Sequence, residues 1–140
     1  MNTVNVRKVE IGKGIPKICV PVVGITRDDI IDAACKAKET ADLVEWRADW
    51  YEDVLDFKKT EKMMEELRET LGDIPLLFTF RTLKEGGEKE IEKSVYVKLN
   101  EMAVKTGFAD LVDAEAFTGT DEVNTIVETA HLYGVKVIAS

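Results

Sequence analysis

Histidine occurs once, as His131, and cysteine twice, as Cys19 and Cys35, in a chain of 140 residues. One imidazole and two thiols without paired spacing do not make a metal-ligand set. The cysteines fall in a strand-like and a helix-like run, where free, buried thiols are the expectation. Only 3 prolines and 9 glycines are present, and no linker or low-complexity segment divides the chain. Long apolar stretches are missing too: Ile18 to Ile25 is too short to span a bilayer, and Met1 to Lys8 has no apolar signal core. Basic residues are in deficit, 19 against 27 acidic ones, for a net charge of -8. That balance argues against nucleic acid or an anionic membrane as partner. The expectation is one cytoplasmic domain over residues 1–140, with 45% hydrophobic and 33% charged residues, enough to bury a core. An anionic ligand would need a local basic pocket.

What is present is a repeated unit. Val4, Val6, Val9 and Ile11 nearly alternate around Arg7-Lys8, and Gly12 and Gly14 follow, which predicts a short hairpin within residues 1–14. From residue 15 onward a short apolar run, a polar loop and an amphipathic helix recur. Ile18 to Val23 precedes a helix capped by Thr26, with Asp29 three residues on, that buries Ile30, Ile31, Ala34 and Ala37. Leu43 to Trp46 precedes a helix from about Asp56 carrying Phe57, Met63, Met64, Leu67 and Leu71, stopped by Gly72. Ile74 to Phe80 precedes a helix with Ile91, Val95, Leu99 and Met102 inward. Ala109 to Val112 precedes a helix from about Asp121 with Val123, Ile126, Val127 and Ala130, and Val135 to Ala139 is a fifth strand. Four such units predict an α/β fold with a parallel sheet and right-handed crossovers. Periodicity leaves two architectures open, a five-stranded open sheet and half of an eightfold barrel.

Both place ligands at the carboxyl ends of the strands, and those ends are charged. Alternation puts Glu45 and Arg47 on one face of the second strand, Thr79 and Arg81 on one face of the third, and Asp113 and Glu115 on one face of the fourth. Two guanidinium forks among carboxylates suit a small polyhydroxylated acid. The competing interpretation is that Glu45–Arg47 and Arg81–Asp113 are structural ion pairs. His131, near the carboxyl end of the last helix, belongs at the far end of the sheet as a surface residue. Trp46 and Trp50 are packing residues. Gly86-Gly87 belongs to no phosphate-binding pattern.

The segments Leu43-Val44-Glu45-Trp46-Arg47-Ala48-Asp49 and Pro75-Leu76-Leu77-Phe78-Thr79-Phe80-Arg81, with Lys84-Glu85-Gly86-Gly87-Glu88, resemble the second and third strand ends of type I 3-dehydroquinate dehydratases. The hairpin is similar as well. Asp113 and Glu115, followed by Val137-Ile138-Ala139-Ser140, match the start of that family's signature, which continues into Asn-His-Asp. The resemblance implies the N-terminal half of a TIM (β/α)8 barrel: four βα units and a fifth strand in residues 15–140, behind the hairpin. It implies an enzyme that converts 3-dehydroquinate to 3-dehydroshikimate without cofactor or metal, through a Schiff base on a sixth-strand lysine and a histidine after the fifth strand. Neither residue is among these 140, so the chain alone is expected to be inactive. By the same resemblance Glu45, Arg47 and Arg81 contact the substrate, Glu85 orients the histidine, and Asp113 is a polar neighbour. The family often has serine where Pro21 stands.

A second interpretation is a structural module, a half-barrel that self-associates or joins a complementary C-terminal half. Its motive is that the inner sides of Ile18 to Val23 and Ile74 to Phe80 would otherwise lie open. A small doubly wound binding domain fits less well, because no acidic cluster follows the first strand and Gly24 stands alone.

Overall fold

A computed structural model describes residues 2–140. The chain order is β1 (Val4–Val6), β2 (Val9–Ile11), β3 (Cys19–Val22), α1 (Arg27–Ala37), β4 (Leu43–Arg47), α2 (Phe57–Leu71), β5 (Leu76–Thr79), α3 (Lys93–Lys105), β6 (Leu111–Ala114), α4 (Thr120–Leu132) and β7 (Lys136–Ala139). Strands β1 and β2 pair antiparallel as a hairpin, and β3 to β7 form a parallel sheet in strict sequence order. A parallel sheet built without reversing strand order and with one hand of crossover carries all its helices on one face. That excludes the doubly wound alternative.

The two faces hold separate cores. Toward the helices point Val22, Val44, Trp46, Leu76, Phe78, Val112 and Ala114, packed with Ile30, Ala34, Met63, Met64, Leu67, Leu71, Leu99 and Ile126. Toward the opposite, concave face point Leu43, Leu77 and Leu111 at the amino ends of the strands, and Val6 of the hairpin lies on them with Ile11. Val6, Leu43, Leu77 and Leu111 are each at most 6% exposed. Burial of such a side chain is worth about 1.5–3 kcal/mol, so the hairpin stabilises the amino-terminal end of the concave face.

A two-residue turn joins β1 to β2, with Val6 opposite Val9. Arg7 sits there at φ 52°, in the left-handed region that few side chains other than glycine and asparagine occupy. Its guanidinium explains why it stays: Nε donates to both oxygens of Asp110 (2.9 and 3.0 Å) and Nη1 to Asp73 (3.0 Å). Asp110 also accepts from Arg68 Nη2 (3.2 Å) and from the Leu76 amide (2.9 Å). Arg68, mostly buried, donates as well to the Ile74 and Gly72 carbonyls. Burial pulls the Arg68 guanidinium below its ordinary range, against the nearby Asp110.

Three sequence expectations are corrected. Cys19 and Cys35 are exposed rather than buried, and free. Cys19 points to the open concave face from the edge strand β3, and Cys35 to solvent between the buried Ala34 and Ala37. In α3 the fully buried stripe is Tyr96, Leu99, Asn100, Ala103 and Val104, so of the expected Ile91, Val95, Leu99 and Met102 only Leu99 belongs to it; Ile91 and Met102 pack on the core partly buried, and Val95 is half-buried. Ile91 precedes the helix, and the two polar residues find partners in the core: Asn100 donates to the Tyr96 carbonyl (3.0 Å), and Tyr96 bridges the end of β6. Lastly, Leu76, Leu77, Phe78 and Phe80 are all buried, so the run from Ile74 to Phe80 does not lie open; Ile18 (55% exposed) and Val23 (44%) on the edge do. Pro21 is tolerated on that edge because the Ile18 carbonyl faces β4 and backbone groups alternate, so its missing N–H costs no ladder bond.

Replacing Asp110 with alanine leaves the Leu76 amide without its acceptor and takes a carboxylate from Arg7 and Arg68. Unfolding in urea should show a loss of about 2–3 kcal/mol, and an unchanged midpoint would mean the cluster is not a latch. Tyr96 gives a pH test. Its hydroxyl donates to the Asp113 carbonyl (3.3 Å) and accepts from the Glu115 amide (3.0 Å). Burial, with the Glu115 and Asp113 carboxylates adding to it, pushes the phenol up to about 12. Because the folded value lies above the unfolded one, this stability is complete below pH ~10 and disappears as pH rises toward 12, by about 2–3 kcal/mol. Denaturation curves should show that loss in the native chain and not in Tyr96→Phe.

Candidate active-site rim

The carboxyl ends of β4, β5 and β6 carry the charged residues of the concave face. On β4, Glu45 and Arg47 point inward while Val44 and Trp46 enter the helix-side core. Glu45 Oε2 accepts from the buried Thr79 hydroxyl of β5 (2.8 Å). Arg47 turns to Asp49 instead of Glu45: Nε donates to Oδ1 (2.9 Å) and Nη2 to Oδ2 (2.8 Å). The expected Glu45–Arg47 pair is therefore replaced, because the chain leaves β4 into a 3-10 turn, Ala48–Trp50, that brings Asp49 under the guanidinium with no solvent exposure. The hydrogen bonds Arg47 donates to Asp49 raise its pKa; burial opposes them, Glu45 adds to them, and Arg81 is near enough to oppose them.

Arg81 follows β5 and reaches across to β6. Its Nη1 and Nη2 donate to Asp113 Oδ1 (3.0 Å) and Oδ2 (3.2 Å), and Nη1 also to Glu115 Oε2 (3.2 Å) and Ser140 Oγ (2.9 Å). The Ser140 hydroxyl in turn donates to Asp113 (2.7 Å). Burial would lower the Arg81 pKa, but Asp113 and Glu115 outweigh it and the net direction is up. Glu115 additionally accepts from the Thr82 hydroxyl (2.7 Å) and amide (3.1 Å). The Arg81–Asp113 ion pair is thus present, and the two arginines face four carboxylates, Glu45, Asp49, Asp113 and Glu115. No bare basic pocket results. What the rim offers is a set of acceptor oxygens and remaining N–H donors on neighbouring strands, which matches vicinal hydroxyl groups better than a lone anion.

Of the residues singled out in the sequence, Arg81 and Asp113 are in direct contact, and Glu45 and Arg47 share their face on the next strand. Glu85 does not join them. It is exposed in the 3-10 turn Leu83–Glu85, lining a groove of about 580 Å³ with Tyr96, Glu115 and Phe117, between the loops after β5 and β6. Among the described residues no three His, Cys, Asp or Glu side chains converge as a metal-ligand set. His131 is exposed near Val4, Ile11 and Leu111, at the amino ends of the strands. The residue that sequence reasoning passed over is Asp49. No periodic signal could have found it, because strand alternation ends where the chain leaves β4 for the 3-10 turn Ala48–Trp50.

The family model described as type I 3-dehydroquinase matches residues 18–140. The 3-dehydroquinate dehydratase of Clostridium botulinum (strain Eklund 17B / Type B) is 53% identical over 138 residues, 98% of this chain and 54% of the relative. That of Clostridioides difficile (strain 630) is 45% identical, again over 98% and 54%. The crystal structure of the Clostridium difficile type I 3-dehydroquinate dehydratase with covalently modified comenic acid superposes with a TM-score of 0.97 at 44% identity, over 99% of this chain and 55% of that one. The Enterococcus faecalis 3-dehydroquinate dehydratase gives 0.91 at 43% identity, over 97% and 57%. The chain spans about half the length of the relatives it matches, and its fold is correspondingly half of a (β/α)8 barrel. By the match over residues 18–140 and by identities of this size, the chain belongs to the type I 3-dehydroquinase family.

Proposed function

We propose that this chain supplies the substrate rim of a 3-dehydroquinate dehydratase. Glu45, Arg47 and Arg81 contact the hydroxyls and ring of 3-dehydroquinate, Asp113 holds Arg81 toward them, and Glu85 orients a histidine brought by the other half of the barrel. The observation that carries this is the convergence of Glu45, Arg47, Arg81 and Asp113 at the carboxyl ends of three adjacent parallel strands, where barrels bind ligands. In the whole enzyme a lysine amine condenses with the substrate ketone and expels water. The resulting iminium draws electrons from the adjacent C–H bond, and the histidine takes that proton. The enamine then expels the hydroxide, which leaves as water with the proton the histidine returns, and hydrolysis of the imine frees 3-dehydroshikimate.

Among the described residues the concave-face rim of Glu45, Arg47, Thr79, Arg81 and Asp113 holds no imidazole and no lysine; Lys84 and Lys93 line the groove beside Glu85 instead. His131 is at the far end of the sheet, and the Lys89 ammonium donates to the Asp49 (2.6 Å) and Tyr51 (3.0 Å) carbonyls. Residues 1–140 alone are therefore proposed to bind without dehydrating. The partner in this reading is a complementary C-terminal half, in the cytoplasm, with no nucleic acid or membrane involved. Among the described residues no helix is long and apolar enough to cross a membrane. A second reading, self-association of the half-barrel, is favoured by one observation: β3 and β7 are the edges of the sheet, with exposed Ile18 and Val23 (55% and 44%) flanking β3 and Ile138 (38%) in β7.

Titration of the 140-residue chain with 3-dehydroquinate, followed by NMR, should shift signals of Glu45, Arg47, Thr79 and Arg81, and borohydride should trap no adduct. Shifts confined to the groove beside Glu85, or a substrate-dependent adduct on any lysine, would contradict the reading.

A further inference from the structure

We infer that Asp49 is the positioning residue of this rim, one buried carboxylate that aims the Arg47 guanidinium and pins the base of the loop carrying Arg81 and Glu85. The inference rests on the substrate role proposed for Arg47 and Arg81. Four N–H donors meet the two carboxylate oxygens: Arg47 Nε (2.9 Å) and the Arg81 amide (3.2 Å) at Oδ1, Arg47 Nη2 (2.8 Å) and the Glu88 amide (3.1 Å) at Oδ2. The side chain has no solvent exposure, so those four donors stand in for the water it has lost.

The second half of the argument is the loop. Between Arg81 and Glu88 the chain doubles back on itself: the Gly87 amide donates to the Thr82 carbonyl (2.8 Å) and the Leu83 amide to the Lys89 carbonyl (3.0 Å). A Cβ at Gly87 would collide with the Arg81 carbonyl oxygen, so only glycine fits this approach. The two amides that reach Asp49 are therefore the two ends of one closed loop, and Glu85 projects from its tip. Lys89 adds a third tie through the Asp49 carbonyl (2.6 Å). A movement of Asp49 shifts Arg47 on β4 and the loop after β5 together. Asparagine cannot replace it, because its single acceptor oxygen serves one pair of donors and its NH₂ confronts the other.

Hydrogen exchange of the 140-residue chain, read by NMR at Arg47 Nε–H and at the Arg81 and Glu88 amides, tests this. In the unsubstituted chain all three should exchange at least about tenfold more slowly than in an unstructured peptide. Asp49→Asn should speed the Arg47 signal and at least one amide by about tenfold or more, with Leu77 and Phe78 still protected. Asp110→Ala is the control: it weakens the far end of the sheet and should leave the three rim signals in place. An unprotected Arg47 Nε–H in the unsubstituted chain overturns the inference, even where Asp49→Asn fails to fold. So does an Asp49→Asn chain with all three signals unchanged, or an Asp110→Ala chain that releases them equally. Exchange needs no substrate, so intact protection without 3-dehydroquinate binding would overturn the proposed function and leave Asp49 as the residue that orients Arg47.

Discussion

A carboxylate without solvent contact has to find its charge and hydrogen bonds inside the protein, and at Asp49 this is met by one guanidinium and two backbone amides. An uncompensated buried charge is among the costlier defects a fold can carry. The arrangement of β4, the loop after β5 and the Arg47 side chain is therefore mutually fixed. Arg81 extends the same logic outward. Its backbone is held by Asp49, its guanidinium by Asp113 and Glu115, and Glu115 in turn holds Thr82 of the same loop. A rim of polar groups on loops becomes rigid because each charged group is spoken for by the next strand.

The concave face is divided along the strand direction. At the amino ends Leu43, Leu77 and Leu111 are covered by the hairpin, and two residues further on the side chains become Glu45, Thr79 and Asp113. Alternation makes this change possible without altering the helix-side core, since Val44, Leu76, Phe78 and Val112 face the other way. Stability sits at one end of the sheet, and the groups able to meet a polar ligand sit at the other. The pattern is that of a barrel, whose bottom is packed and whose top is chemically variable.

Much of this was readable in the chain. The hairpin follows from alternating valines around Arg7-Lys8, the helix starts from Thr26 and Asp56, which both accept the expected backbone amides, and the shared faces of Glu45 with Arg47 and Asp113 with Glu115 follow from period two. Three features were hidden. The stripe of α3 was misread beyond Leu99 because Tyr96 and Asn100 look polar in sequence yet are buried, each donating to a backbone carbonyl. Cys19 reads as buried because its run is apolar, but it lies on an edge strand and faces the open side. Arg47 reads as the partner of Glu45, two residues away, and only the 3-10 turn after β4 reveals Asp49 as the nearer acid.

On the proposed function, this half-barrel contributes binding groups to a dehydration whose covalent step belongs to the complementary half. The most direct measurement mixes the 140-residue chain with the purified C-terminal half of the Clostridioides difficile relative and follows formation of 3-dehydroshikimate. Activity in the mixture, absent from either half alone and lost when this chain carries Arg81→Met, is the predicted result. Dehydration by this chain alone, or a mixture whose activity is indifferent to Arg81→Met, would contradict it.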